Sequence, residues 1–280
     1  MESGLLAEKY PFVRFGKGEE KIVLFPPLTD ALIDVTAVPW YLQCLFHYFS
    51  RDYTVYAVSR RRNLPVGYST QDMARDYAGA LEAIGGPAHL IGISLGGMIA
   101  QLFTVEFPHY VKQLVLVASS YHMGLEGLAI ARRWIPWARR LRWREIYEDM
   151  ISLTYSKNHV VLPRLLKGVI ERYLVAKVKD PTDFIVSGQA AIIHDAFEWL
   201  SKIKVPTLII GGEQDKFFPQ KVFEEMVQKI PHARLMLVKN VGHGVYEECR
   251  RQCVRAILSF MRDSTSKGRW RPAPKVSEIA

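Results

Sequence analysis

Short, largely apolar runs recur along this chain, and each is too brief for a helix of ordinary length. They are Ile22-Val23-Leu24-Phe25, the stretch 53–58, Leu114-Val115-Leu116-Val117-Ala118, the stretch ending in Leu208-Ile209-Ile210, and 233–238. Strands buried on both faces read as continuous apolar runs; strands with one wet face alternate. Between the runs lie segments of helical period, at 71–84 and again at 220–229 and 247–261. Residues 71–84 place Met73, Ala74, Tyr77, Ala80, Leu81 and Ile84 on one stripe, with Ser69 or Thr70 able to cap the start and Gly85-Gly86 the end. Strand–helix alternation of this kind predicts a mostly parallel, doubly wound α/β sheet covered on both faces.

One of these junctions carries chemistry. Ala88-His89-Leu90-Ile91-Gly92-Ile93-Ser94-Leu95-Gly96-Gly97-Met98 runs from an apolar strand into the helix-like 98–103. A G-x-S-x-G pattern between strand and helix puts its serine on a sharp turn with the hydroxyl exposed. Glycines two residues to either side let the two backbones approach. The bland alternative is a glycine turn in which Ser94 only caps the helix.

Two further loops follow strand ends. Gly211-Gly212-Glu213-Gln214-Asp215 closes one run, with Phe217-Phe218-Pro219 starting the next element, and Asn240-Val241-Gly242-His243-Gly244 closes another. In a parallel sheet the loops at the carboxyl ends of strands share one edge, where ligands bind. Ser94, Asp215 and His243 therefore fall on one edge in the order Ser…Asp…His, an order that separates this arrangement from the two other familiar triads. Histidine, with an ordinary pKa of about 6.5, suits the base that a serine nucleophile needs. Asp215 would hold the imidazole in one tautomer, and Glu213 is the weaker competitor for that role.

On these three motifs, and over nearly all of residues 10–262, the chain resembles the α/β-hydrolase superfamily. The resemblance implies an α/β-hydrolase fold with an inserted helical cap. Residues 1–120 and 196–262 would form the core, 121–195 the cap, and 263–280 a flexible tail. It also implies cleavage of a carboxylic ester, or a related acyl bond, of a small apolar substrate through an acyl-enzyme, with no cofactor and no metal. Other chemistries share the constellation: C–C bond hydrolysis, acyl transfer, and non-hydrolytic ligand sensing.

The resemblance also carries two departures. The oxyanion hole needs two N–H donors; Leu95, directly after Ser94, supplies one. The loop after 21–25, where the family has His-Gly, reads Pro26-Pro27 here. Proline has no N–H, so the aligned second donor is Leu28. Where many relatives carry Asp-x-Arg-Gly-x-Gly, this chain has Ser59-Arg60-Arg61-Arg62-Asn63, which reads as a solvated basic turn.

The segment 121–195 lacks a core-like strand and reads as several helices. Its stretch 132–144 holds six arginines and three tryptophans, without an acid. Docking on an anionic membrane surface is one reading. The favoured reading is a cap helix broken at Pro136, with tryptophans on the core and arginines in water. Tyr121, Trp134, Trp137 and Trp143 are the candidates to line an acyl pocket.

The remaining composition excludes more than it assigns. A net charge of +9 comes without any helix-turn-helix, zinc-finger or RNA-recognition pattern, so nucleic acid is not expected. Three cysteines are too few and too scattered for a disulfide framework or a structural zinc site. The start, Met1-Glu2-Ser3-Gly4-Leu5-Leu6, has neither the basic flank nor the apolar run of a signal peptide, which makes a cytoplasmic location the expectation.

Overall fold

The computed structural model describes residues 1–156 and 178–263. The central part of the 121–195 segment and the tail beyond 263 fall outside the described residues.

The chain opens with strands β1 (Glu2–Leu6), β2 (Tyr10–Gly16) and β3 (Glu20–Phe25), then helix α1 (Pro39–Phe46), β4 (Tyr53–Val58) and helix α2 (Thr70–Ile84). Next come β5 (Ala88–Ile93), α3 (Leu95–Glu106) and β6 (Val111–Val117). Helices α4 (Leu125–Arg139), α5 (Trp143–Thr154), α6 (Thr182–Ile193) and the short α7 (Phe197–Leu200) follow. The alternation resumes with β7 (Thr207–Gly212), α8 (Gln220–Lys229) and β8 (Ala233–Val238), and closes with α9 (Val245–Glu248) and α10 (Arg250–Asp263).

The strands form one eight-stranded sheet in the order β1-β2-β4-β3-β5-β6-β7-β8. Only the β1–β2 and β2–β4 pairings are antiparallel; the others are parallel. Alternate side chains of the parallel strands enter two cores. Val23, Phe25, Leu90, Leu116 and Ile209 pack under α2, α3 and α8, while Ile22, Leu24, Ile91, Val117 and Ile210 pack under α1 and α10. Burial on both faces is why these strands lack a polar alternation.

Register brings the strand ends level. Phe25 pairs with Gly92, Ile93 with Val117, Val117 with Ile210, and Gly212 with Val238. The chain runs outward from β3 to β4 on one side and to β5 on the other, so a crevice opens between the carboxyl ends of β3 and β5. The Pro26–Leu28 turn and the Ser94 turn border it.

Three local expectations need correction. β1 was not foreseen: its turn passes through Ala7 (φ 48°) and Glu8 (φ 56°), left-handed positions that the usual Asn-Gly signal would have marked. Pro136 does not break its helix, because α4 continues through it to Arg139. Proline here forfeits one backbone hydrogen bond, to the carbonyl of Arg132, and the buried flank of Ile130, Trp134, Ile135 and Ala138 keeps the helix in place. The helix expected over 247–261 is divided at Cys249 into α9 and α10.

Candidate active site

Ser94 occupies the N-cap position of α3 at φ 51°, ψ −120°, outside the ordinary basins for an L-residue, yet its side chain makes no capping bond. Such a conformation costs roughly 1–3 kcal/mol and persists only where neighbours over-determine it. Here they do. The Ser94 N–H donates to Val117 O at 3.0 Å, and the Ser94 carbonyl accepts from Gly97 and Met98 at 2.9 and 3.2 Å. The flanking glycines are required by space. A Cβ on Gly96 would stand 2.0 Å from Phe25 O, and one on Gly92 would stand 2.5 Å from Gly97 Cα. The hydroxyl is thus left for another partner.

That partner is His243, whose Nε2 lies 3.0 Å from Ser94 Oγ and whose Nδ1 lies 2.8 Å from Asp215 Oδ2. The Asp215 side chain is sealed from solvent. Its other oxygen, Oδ1, accepts from the backbone N–H groups of Phe217 and Phe218 at 2.8 and 3.1 Å. One carboxylate oxygen is therefore fixed by the turn and the other serves the imidazole. Burial would lower the His243 pKa, but the charge and hydrogen bond of Asp215, with a contribution from Glu247, outweigh it and the net shift is upward. The carboxylate facing His243 belongs to Asp215, not Glu213.

The phenyl rings of Phe217 and Phe218 lie 4.6 and 5.7 Å from the His243 ring. Sequence reasoning passed over both as the start of the next element. Their signal was the Phe-Phe-Pro that follows Asp215-Lys216: the same two residues whose N–H groups donate to Asp215 place their rings against His243.

Leu95 opens α3, and the first N–H groups of a helix have no partner within it. Leu28 opens the 3₁₀ turn Leu28–Ala31. The close approach of Gly96 to Phe25 O and to Pro26 O places these two backbone segments in contact.

The four aromatic candidates divide. Trp134 is buried, donates to Asp149 at 2.7 Å and packs 5.7 Å from Phe217, one ring removed from His243. Trp143 is buried between the Val178 carbonyl and the edge of Phe184. Half-buried Trp137 sits under the guanidinium groups of Arg133 and Arg142. Tyr121 is hydrogen-bonded to Glu225 and packs on Phe197. The arginines of 132–144 all point outward, three of them pairing with Asp149, Glu145 and Glu148.

The reading of 59–63 as a solvated turn is wrong. Arg60 is only 4% exposed and faces Asp30, itself buried, at 3.5 Å. Arg62 donates to Ala31 O and faces Asp34 and Asp183, the last on α6. Arg61 and Arg62 are half-buried and Asn63 is exposed, and the partners that hold Arg60 and Arg62 lie about 30 and 120 residues away, so no local pattern reveals them.

A family model for the alpha/beta hydrolase fold matches residues 46–248. A curated relative from Burkholderia vietnamiensis, a 2-hydroxy-6-oxononadienedioate/2-hydroxy-6-oxononatrienedioate hydrolase, is 28% identical over 68% of this chain and 67% of its own length. The human monoacylglycerol lipase ABHD6 is 23% identical over 62% of this chain and 55% of its own, so the match spans about half of that protein. Among solved structures, MGS-M2, an alpha/beta hydrolase enzyme from a Medee basin deep-sea metagenome library, superposes with a TM-score of 0.81. That match is 20% identical and covers 97% of this chain and all of the other. No helix among the described residues is long and apolar enough to cross a membrane. By the family model, the strand order and the matching solved fold together, this chain belongs to the alpha/beta hydrolase family.

Proposed function

We propose that the protein is a serine hydrolase that cleaves a carboxylic ester through an acyl-enzyme. The observation that carries this reading is the continuous hydrogen-bonded chain from Ser94 Oγ through His243 to Asp215, on a serine held where its hydroxyl caps nothing. In the first step Ser94 Oγ attacks the ester carbonyl carbon and passes its proton to His243 Nε2. Asp215 stabilises the imidazolium that forms. The oxyanion accepts from the N–H groups of Leu95 and Leu28. His243 then returns the proton to the departing alkoxide. Water, activated by the same histidine, releases the acid and restores Ser94.

A second reading keeps the triad and changes the bond. The Burkholderia relative, and another from Comamonas testosteroni, are hydrolases of 2-hydroxy-6-oxo dienoic acids, which makes cleavage of a carbon–carbon bond beside a ketone the alternative. A series of p-nitrophenyl esters of increasing acyl length, set against a panel of dienoic diketones, separates the two. The ester reading expects turnover of the short esters, abolished in Ser94→Ala. Turnover of the diketones alone overturns it in favour of the second.

A further inference from the structure

Arg60 is charged, nearly sealed from water and spent on backbone. Its Nη1 donates to Pro26 O at 2.9 Å, and its Nη2 reaches Pro27 O at 3.0 Å and Leu28 O at 3.4 Å. Asp30, on the turn that these carbonyls lead into, neutralises it from 3.5 Å and accepts the Arg60 N–H at 3.1 Å and the Ser59 hydroxyl at 2.5 Å. Burying an ion pair seldom adds net stability over an apolar pair of the same volume. What this one does is grip three consecutive carbonyls of the loop beside Ser94.

The grip fixes a direction. No peptide bond among the described residues is cis, so the Pro27 carbonyl and the Leu28 N–H point to opposite sides of one planar trans peptide. Holding Pro27 O on the guanidinium aims the Leu28 N–H away from Arg60. Neither Pro26 nor Pro27 can replace it as a donor. The Pro27 carbonyl also accepts from Asp30 N–H at 3.1 Å, which ties the same peptide plane to the anion of the pair.

We propose that Arg60, neutralised by Asp30, is the positioning residue of the second oxyanion donor: its guanidinium sets the plane of the Pro27–Leu28 peptide so that the Leu28 N–H faces the reacting centre. The proposal rests on the serine-hydrolase reading above. Arg60 touches no substrate; it acts through the loop. Lysine cannot substitute for it, because one ammonium lacks the planar fork that spans adjacent carbonyls.

The test is the rate at which a small fluorophosphonate modifies Ser94, because that reaction needs the nucleophile and the oxyanion donors but no particular substrate. Arg60→Lys and Asp30→Asn are compared with wild type for kinact, KI, the pH dependence of kinact and the melting temperature. The expected result for Arg60→Lys is a kinact lower by about 10- to 100-fold, less than the ~10²–10³ that follows outright removal of a donor, with KI and the acidic limb unchanged. Asp30→Asn shifts the same way by less, and decides by the same criterion if Arg60→Lys does not fold. A wild-type kinact in either folded variant overturns the proposal. So does a fall in kinact accompanied by a rise in KI and a fall in melting temperature, which marks general loosening. If wild-type Ser94 is not labelled, the hydrolase reading fails and the proposal falls with it; labelled wild type with equally labelled variants removes the positioning role alone.

Discussion

The turn after β5 and the turn after β3 lie side by side at one sheet edge, yet different physics holds them. The motif of the first is local: two glycines, a strand end and a helix N-terminus hold Ser94 at φ 51°, and the neighbouring strands close on it through backbone alone, Val117 O on the Ser94 N–H and Phe25 O against Gly96. The second is remote. Its prolines supply stiffness but no donors, and its carbonyls are held by an arginine more than 30 residues away. A turn held by backbone crowding tolerates almost no change in volume at its glycines. A turn held by a buried ion pair tolerates changes in volume and fails on changes in charge or donor geometry.

Substitutions break this comparison at points of decreasing force. Ser94→Ala removes the nucleophile and is expected to lower kcat for ester hydrolysis by about 10⁴–10⁶ while the fold survives, as judged by circular dichroism. Asp215→Asn keeps the shape of the turn but frees the imidazole to take the wrong tautomer; kcat falls by about 10⁴ in steady-state assays. Gly96→Ala tests the local turn, since its Cβ would meet Phe25 O at 2.0 Å. A loss of about 1–3 kcal/mol or more is expected from urea unfolding. Gly67→Ala is its control. That residue has the reverse situation, φ +81° with open space around it, so only the left-handed conformation, about 1–2 kcal/mol, is at stake.

Acid and base sharpen the same contrast. His243 is held above its ordinary value, and it must be neutral to accept the Ser94 proton. The acidic limb of kcat/KM therefore lies above 6.5. The stability linked to His243 runs the other way: present in full below 6.5 and lost as pH rises through the folded pKa. His194 is the opposite case. Buried at the end of α6 against Thr70 Oγ1, it is lowered to about 4. Its contribution is complete above 6.5 and is lost as pH falls from there toward 4, a loss readable in melting curves. The smallest effect expected is that of Asp183→Ala. It removes the carboxylate that accepts from Asn63 and Leu64 N–H, for about 1 kcal/mol by denaturant unfolding.

The same local-versus-remote division decides what could be read from the sequence. The strand 233–238 and the helix 220–229 were placed to the residue, because apolar period and flanking breakers are local signals. The capping of α2 by Ser69, with Asp72 returning the bond, was equally open to reading. Ser94, Asp215 and His243, which meet in one hydrogen-bonded chain, could be singled out because each sits in a short motif at a strand end. Arg60 was misread as solvated because a basic triplet looks the same whether its partners are water or the carbonyls of a distant loop. Pro136 was misread because the lost bond is outweighed by tertiary burial of Trp134, Ile135 and Ala138, which local propensity does not show. The rings of Phe217 and Phe218 were overlooked because stacking on His243 depends on how two loops from different strands meet.

The most direct test of the account is to treat the wild-type protein and Ser94→Ala with a fluorophosphonate and map the adduct by mass spectrometry. The account predicts one adduct, on the peptide containing Ser94, formed in parallel with the loss of ester hydrolysis and absent from the variant. An adduct on another residue, or ester hydrolysis undiminished in Ser94→Ala, would contradict it.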